Sequence, residues 1–405
     1  MAAAVATATA GLLARIESVR GYLKSKNIER DEDIDLLLLA VLSGEDILFL
    51  GEPGVGKTYF IELLTKRCFK DMVLYTHLLA KDQSADELLG PRDIVGYKEG
   101  KVRRLTAGYA PDSHVAYWDE VFKASPPMLN PALGLSANRV LKMGGEVKDC
   151  SQLITIVMSS NELPEREDLV AFRDRITITK KVEPIRTDEG RRALIDLQLD
   201  GQDDAALSFD EPLTLDEVQA LRAEVEALEF PHTVREKLTE AWRQWAEHRH
   251  SPSGRRIGSM QKVMKASAYL AGRDKVNADD LLVCQHMAWN RPDDAETALS
   301  VVIALAEAFT RKAEEIRQAQ EPLMDGINDL RAKAKDADTD DDREELQDKG
   351  FEVTRDMKRL IRRAEKMVEE GREQDEDVSR LEAVIAEIQR QHDWAEDAVS
   401  FTDDK

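Results

Sequence analysis

At 405 residues the chain can bury one large core and carry further units beside it; 42% apolar content suits globular parts, and 34% charged residues point to long solvent-covered helices. The net charge of -22, with no basic half to offset it, argues against sequence-independent nucleic-acid binding, which draws its affinity from neutralising phosphates. No stretch reaches the roughly 18 apolar residues of a membrane span. The opening MAAAVATATA lacks the basic region of a signal peptide, and Cys68, Cys150 and Cys284 have neither metal-ligand nor disulfide spacing, so a soluble cytoplasmic protein is expected.

From 11 to 42, apolar residues recur at three- and four-residue steps, through Leu12, Leu13, Ile16 and Val19 and then Ile34, Leu37, Leu38 and Val41, which predicts helix. The period then changes. Residues 46–50 form a short, nearly continuous apolar run, the pattern of a strand buried on both faces. That run enters a Gly-rich turn and a helix carrying Phe60, Ile61, Leu63 and Leu64. Similar runs at 72–75, 115–118, 153–158 and 176–179 predict an α/β unit with a mainly parallel sheet over about residues 30–185. Residues 186–290 read as helix throughout, with Trp242, Trp245, Val263, Met264, Tyr269, Leu270, Leu281, Leu282 and Met287 as core. Beyond 300 the chain is rich in charge and alanine. Stripes through Met357, Leu360, Ala364 and Met367, and through Val378, Leu381, Ile385, Ile388 and His392, predict a helical hairpin or three-helix bundle, with the acidic patch 336–342 as a connecting loop.

The turn after the first strand carries the chemistry. Gly51-Glu52-Pro53-Gly54-Val55-Gly56-Lys57-Thr58 is the pattern G-x-x-x-x-G-K-T, in which glycines let successive backbone N–H groups converge on phosphates at a helix N-terminus. Lys57 can reach the terminal phosphates of ATP, and the Thr58 hydroxyl can hold Mg2+. The run 115–118 ends in Asp119 and Glu120, which parallel-sheet topology brings to the same edge. Asp119 suits Mg2+, and Glu120 suits taking a proton from the attacking water. Asn161, after the run 153–158, can position that water or cap the following turn. Arg173 and Arg175 can stabilise a transferring phosphoryl group from a neighbouring subunit, or form a surface cluster with Asp174. Arg255 and Arg256, at the start of a predicted helix, can reach nucleotide across a domain cleft.

These motifs resemble the MoxR-type AAA+ ATPases, and most closely their RavA branch. The likeness lies in GEPGVGKT (51–58), ELLGPRDI (87–94), RLTAGYAPDSHVAYWDEVFKASPPMLNPAL (104–133), SSNELPEREDLVAFRDRITI (159–178) and SGRR (253–256). The resemblance spans about residues 30–290 and implies an AAA+ α/β nucleotide-binding domain (31–185) and an all-helical lid (186–292); the patterning adds an N-terminal helical segment (1–30) and a long helical C-terminal tail (293–405). The resemblance further implies Lys57 and Thr58 as the Walker A pair, Asp119 and Glu120 as Walker B, Asn161 as sensor 1, Arg175 as the finger entering the adjacent protomer's site, and Arg255 as sensor 2 with Arg256 in reserve. Also implied are ATP and Mg2+ as cofactors, a hexameric ring, chaperone-like remodelling of a protein client, and pairing with a von Willebrand factor A domain protein.

Two features depart from the pattern. Leu135–Leu141 keeps Asn138 and Arg139 without the acid that relatives carry between such residues, which puts subunit or pore contacts in question. The tail has no alternating segment long enough for the small β-rich domain of RavA. Two other functions stay open on the sequence. A nucleic-acid motor or loader would use Lys98, Lys101, Arg103 and Arg104 as a basic stripe; a nucleotide-gated scaffold would turn over slowly and recruit a partner through the tail.

Overall fold

The computed structural model describes residues 2–143, 146–163, 172–173, 175–199, 208–248, 252–335, 340–373 and 378–399. Two compact units form, Met1–Leu299 and Ser300–Lys405. In chain order the strands are β1 (Ile47–Leu50), β2 (Phe69–Lys70), β3 (Leu74–Leu78), β4 (Val115–Asp119), β5 (Val140–Met143), β6 (Glu146–Asp149), β7 (Thr155–Ser160), β8 (Ile178–Lys181) and β9 (Leu213–Thr214).

The apolar runs become the strands of one sheet, with β1, β4 and β7 inside it and β3 and β8 at its edges. Its order is β3-β4-β7-β1-β8, with every pairing parallel. β1 and β7 are buried at every position, as strands covered on both faces must be. Leu48 lies between Met158 of β7 and Thr179 of β8; from β1 the chain crosses to the far edge at β3, returns inward through β4 and β7, and then adds β8 on the other side of β1. This arrangement sets the carboxyl ends of β4, β7 and β1 next to one another, and a crevice opens at such a switch of direction.

The opposite edge is fastened by a buried ion pair. Asp46, directly before β1, is 2% exposed and accepts hydrogen bonds from Arg139 Nη2 (2.6 Å), Ser136 Oγ (2.6 Å) and Ile156 N–H (2.9 Å). Arg139 also donates to the carbonyls of Gly44 and Ile154. Within the protomer, Arg139 thus joins the starts of β1 and β7.

Residues 186–290 are mainly but not wholly helical, since β9 pairs with β2 ahead of the helix Leu215–Ala227. Thr214 and Glu217 cap that helix reciprocally. In the helix His232–Glu247 the buried stripe runs through Val234, Leu238, Ala241 and Trp245. Trp242 falls one residue off that stripe and is 37% exposed, so it is not core. Leu270 is only half-buried, while the other expected core residues are buried.

The second unit contains a three-helix bundle, Ala308–Lys335, Asp340–Glu373 and Ser379–Val399, each helix packed on the other two. Phe309, Ile316, Met357, Ala364, Leu381 and Ile388 fill its centre. Residues 336–339 of the acidic patch lie outside the described residues, and 340–342 begin a helix rather than continue a loop. His392 is packed inside, beside Asp393.

Candidate nucleotide site

The Gly-rich turn leaves β1 and closes into the helix Lys57–Leu63. Gly54 and Gly56 have φ of +85° and +86°, a region costly to any residue with a Cβ. Nothing lies within 4 Å of the position either Cβ would take. The glycines therefore serve the backbone path, and the space over the turn stays open. Lys57 folds back across this turn: its Nζ donates to the carbonyls of Gly51 (2.5 Å) and Glu52 (2.9 Å) and to Asn161 Oδ1 (3.4 Å). Burial pushes the Lys57 ammonium below its ordinary range, against the opposing pull of Glu120 and Asp119.

The acids at the end of β4 are organised by neighbours that the sequence reading passed over. Thr58 Oγ1 is 3.0 Å from the Tyr117 phenol, which is 2.9 Å from Ser159 Oγ; Ser159 in turn donates to Asp119 Oδ1. The two side chains proposed for the cation are thereby joined by a row of hydroxyls. Burial pushes the Tyr117 phenol up to about 12, although the Ser159 and Thr58 hydrogen bonds pull the other way. Tyr117 lies two residues before Asp119, and Ser159 two before Asn161. Strand alternation puts each on the same face as its partner, and that was the signal available in the sequence.

Glu120 sits in the left-handed region at φ +55°, with its N–H on Asp119 Oδ1. Asn161 Nδ2 donates to Glu120 Oε1 at 2.6 Å, and Lys123 Nζ is 3.4 Å from the same oxygen. Glu120 Oε2 is buried with no hydrogen-bond partner among the described residues. Asn161 therefore touches both Lys57 and Glu120, linking the ends of β1, β4 and β7.

The arginine pairs separate. Arg173 is 5% exposed, lies over the Trp289 ring and donates to the Trp289 carbonyl. Arg175 is half-buried in the turn before β8. Arg256 is buried and donates to Asn290 Oδ1 at 2.9 Å, whereas Arg255 is exposed at the start of the helix Gly254–Leu270 and stands outside the hydrogen-bonded groups just described. Asp174 and residues 164–171 lie outside the described residues.

The candidate basic stripe is largely compensated: Lys101 pairs with Glu99, Arg103 with Glu146 and Arg104 with Asp86. It sits on a folded-back segment closed by a bridge between Arg92 and Arg104. Gly90, at φ +86°, lets that segment close, because a Cβ there would meet the Leu105 carbonyl oxygen at 2.1 Å. The antiparallel hairpin β5–β6, unforeseen in its short polar strands, is tied to the segment by the Arg103–Glu146 pair. Beside the exposed charges of Arg92, Lys98, Glu99, Lys101 and Arg103, the segment exposes the apolar residues Ile94 (71%), Val95 (70%), Tyr97, Val102 and Leu105.

A parallel sheet with this order, followed by a helical lid, defines the AAA+ class of P-loop protein. Residues 14–222 match the profile of the MoxR domain in the MoxR-vWA-beta-propeller ternary systems, and residues 226–302 match an AAA lid domain. The chain belongs to the MoxR family of AAA+ ATPases, and that membership implies nucleotide binding.

Among relatives, the uncharacterized proteins MJ0812 and MJ0079 of Methanocaldococcus jannaschii are each 30% identical to this chain. The first alignment covers 78% of this chain and 82% of the relative, and the second 79% and 81%. Chaperone protein ClpB of Rhodopseudomonas palustris is 32% identical over only 32% of this chain and 16% of its own length. A crystal structure of a "putative ATPase" from Cytophaga hutchinsonii superposes with a TM-score of 0.61 at 16% identity, covering 75% of this chain and 98% of that one. Among the described residues, no helix is long and apolar enough to cross a membrane.

Proposed function

We propose that this chain binds ATP with Mg2+ at the turn Gly51–Thr58 and hydrolyses it in a hexameric ring of like subunits in the cytoplasm, using the cycle to remodel a protein client. The observation that carries the reading is the meeting of Lys57, Glu120 and Asn161 at three adjacent strand ends. Open space over Gly54 and Gly56 and the unsatisfied buried Oε2 of Glu120 support the fit of a phosphate group and of a water. In this reading the backbone of Gly51, Glu52, Pro53, Gly54, Val55 and Gly56 surrounds the phosphates, and Lys57 neutralises their charge. Thr58 and Asp119 hold the cation, which when bound draws charge from the phosphate oxygens. Glu120 accepts the water's proton, with Asn161 fixing the orientation of its carboxylate.

Arg175 is proposed as the residue reaching a neighbouring site and Arg255 as the lid residue facing nucleotide. Packing of Arg173 on Trp289 and of Arg256 on Asn290 supports choosing the other member of each pair. The exposed apolar residues at 94–105 favour a protein client over nucleic acid, as does the pairing of the neighbouring cations. The matched profile names vWA systems, which supports a von Willebrand factor A domain partner. The RavA-like motor motifs remain the finer likeness within the family.

The test of the ring is complementation. Arg175→Ala and Lys57→Ala subunits are each expected to be inactive alone and to recover part of the ATP hydrolysis when mixed. Mixtures no more active than either variant would argue that Arg175 acts only within its own subunit.

A further inference from the structure

The nucleotide reading leaves unused a group of charged residues at 29–33, where the chain enters the helix Asp31–Ser43; of these Arg30 and Asp33 are buried, Glu32 is half-buried and Glu29 is exposed. Arg30 is 6% exposed, and its guanidinium donates twice to the Val55 carbonyl, from Nη2 at 2.9 Å and Nε at 3.3 Å. In a trans peptide the C=O and the following N–H point in opposite directions. A charged donor pulling the Val55 carbonyl from behind therefore turns the Gly56 N–H to the other side of the loop. A charged hydrogen-bond donor is also stronger than a neutral one. Asp33, itself buried, lies 3.7 Å from the same guanidinium.

The neighbouring residues reach elsewhere. Glu29 accepts from the N–H groups of Arg186 (2.7 Å) and Thr187 (3.1 Å), where the chain leaves β8 for the helix Asp188–Leu199. Glu32 bonds to His286 Nε2 (3.0 Å), at the end of the lid helix Ala278–His286, and to Lys180 of β8. Lys180 is paired in register with Phe49 of β1, two residues before the Gly-rich turn begins. Burial pushes the Glu32 carboxyl up, but His286 and Lys180 outweigh it and hold the group below the usual carboxylate range. The entry to the helix Asp31–Ser43 thus touches the phosphate loop through Arg30, the exit from the sheet through Glu29 and the lid through Glu32.

We propose that residues 29–33 couple the phosphate loop to the lid, with Arg30 as a positioning residue for the loop and Glu32 as the tie to His286. The coupling rests on the reading of Gly51–Thr58 as a nucleotide site. A loop that shifts as it takes up phosphate moves Val55 against Arg30, and the rigid start of the helix Asp31–Ser43 carries that shift to Glu32 and the lid.

The test combines the affinity of a fluorescent ATP analogue with hydrogen exchange over residues 278–289, using the full chain. Arg30→Ala is expected to weaken binding about tenfold, the size of a lost charged hydrogen bond, with Arg30→Lys recovering part of it. Arg30→Gln serves if the alanine variant does not fold, and the same loss is expected. Glu32→Gln is expected to bind within about twofold of the wild type while losing the nucleotide-dependent protection at 278–289. If the wild type binds, Lys57→Ala does not, and Arg30→Ala or Arg30→Gln binds like the wild type, the positioning role is overturned. Persistence of lid protection in Glu32→Gln overturns the tie. A wild-type chain that binds no nucleotide overturns the site reading and the coupling with it.

Discussion

The Tyr117 phenol lies 2.9 Å from the Ser159 hydroxyl, and through that contact Thr58 and Asp119 share one row of hydrogen bonds. Ser159 donates to Asp119, so it accepts from Tyr117, which accepts from Thr58; every hydroxyl in the row points its proton toward the carboxylate. The row holds the two proposed cation ligands in register before a cation arrives. Tyr117→Phe leaves the ring in place but strands both neighbouring hydroxyls, a loss of about 1 kcal/mol. The Mg2+ concentration for half-maximal ATP hydrolysis should rise about fivefold, read from a magnesium titration at saturating ATP. An unchanged titration would show that the row only packs the strands.

Arg139 and Asp46 test the fold independently of the chemistry. Truncating one partner of a buried, hydrogen-bonded ion pair leaves the other charge uncompensated, at a cost of about 3–5 kcal/mol. Arg139→Ala should lose that much in urea unfolding, a large part of a typical domain's total stability. A loss under about 1 kcal/mol would mean that water replaces the guanidinium at no cost.

The sheet was legible because its inner strands β1, β4 and β7 are buried almost throughout and read as apolar runs, and the phosphate turn because its glycines and lysine are close together in sequence. The contribution of Arg30 was not, and those of Tyr117 and Ser159 were legible only as a shared strand face, not as the hydrogen bonds they make. Each acts on a partner far along the chain: Thr58 is 59 residues from Tyr117, and Val55 is 25 from Arg30. The hairpin β5–β6 was missed because its strands are short and half polar, although Gly144-Gly145 between them is a two-residue hairpin signal. Trp242 was misread because its size outweighed its place on the helix, where the stripe through Leu238 and Trp245 excludes it.

Asp33 gives a pH dependence with a definite sign. Burial pushes its carboxyl from 3.8 up to about 6, against the pull of Lys180 and Arg30. A folded value above the unfolded one means that the native state holds the proton more tightly. The stability it contributes is full below the unfolded value and is lost as pH rises through about 6. Asparagine does not titrate. Relative to the wild type, Asp33→Asn should therefore gain about 1.4 kcal/mol between pH 5 and pH 7.5 in urea unfolding, whatever fixed offset comes from depriving Arg30 of its counterion. A pH-independent difference would show that Asp33 ionises normally in the fold.

The apolar segment at 94–105 should contact unfolded chains. Replacing Ile94, Val95 and Tyr97 together by serine removes three exposed apolar side chains without touching the core. Binding of a reduced, carboxymethylated protein, followed by fluorescence anisotropy, should weaken by about tenfold or more. Equal binding by the triple variant would place the client elsewhere.

The central claim is that Glu120 takes part in turnover of ATP held at Gly51–Thr58. Its most direct test compares ATP binding and phosphate release for the wild type and Glu120→Gln. The account predicts nearly equal ATP affinity and a phosphate-release rate lowered by about 10²–10⁴-fold in the variant; a variant that releases phosphate as fast as the wild type would contradict it.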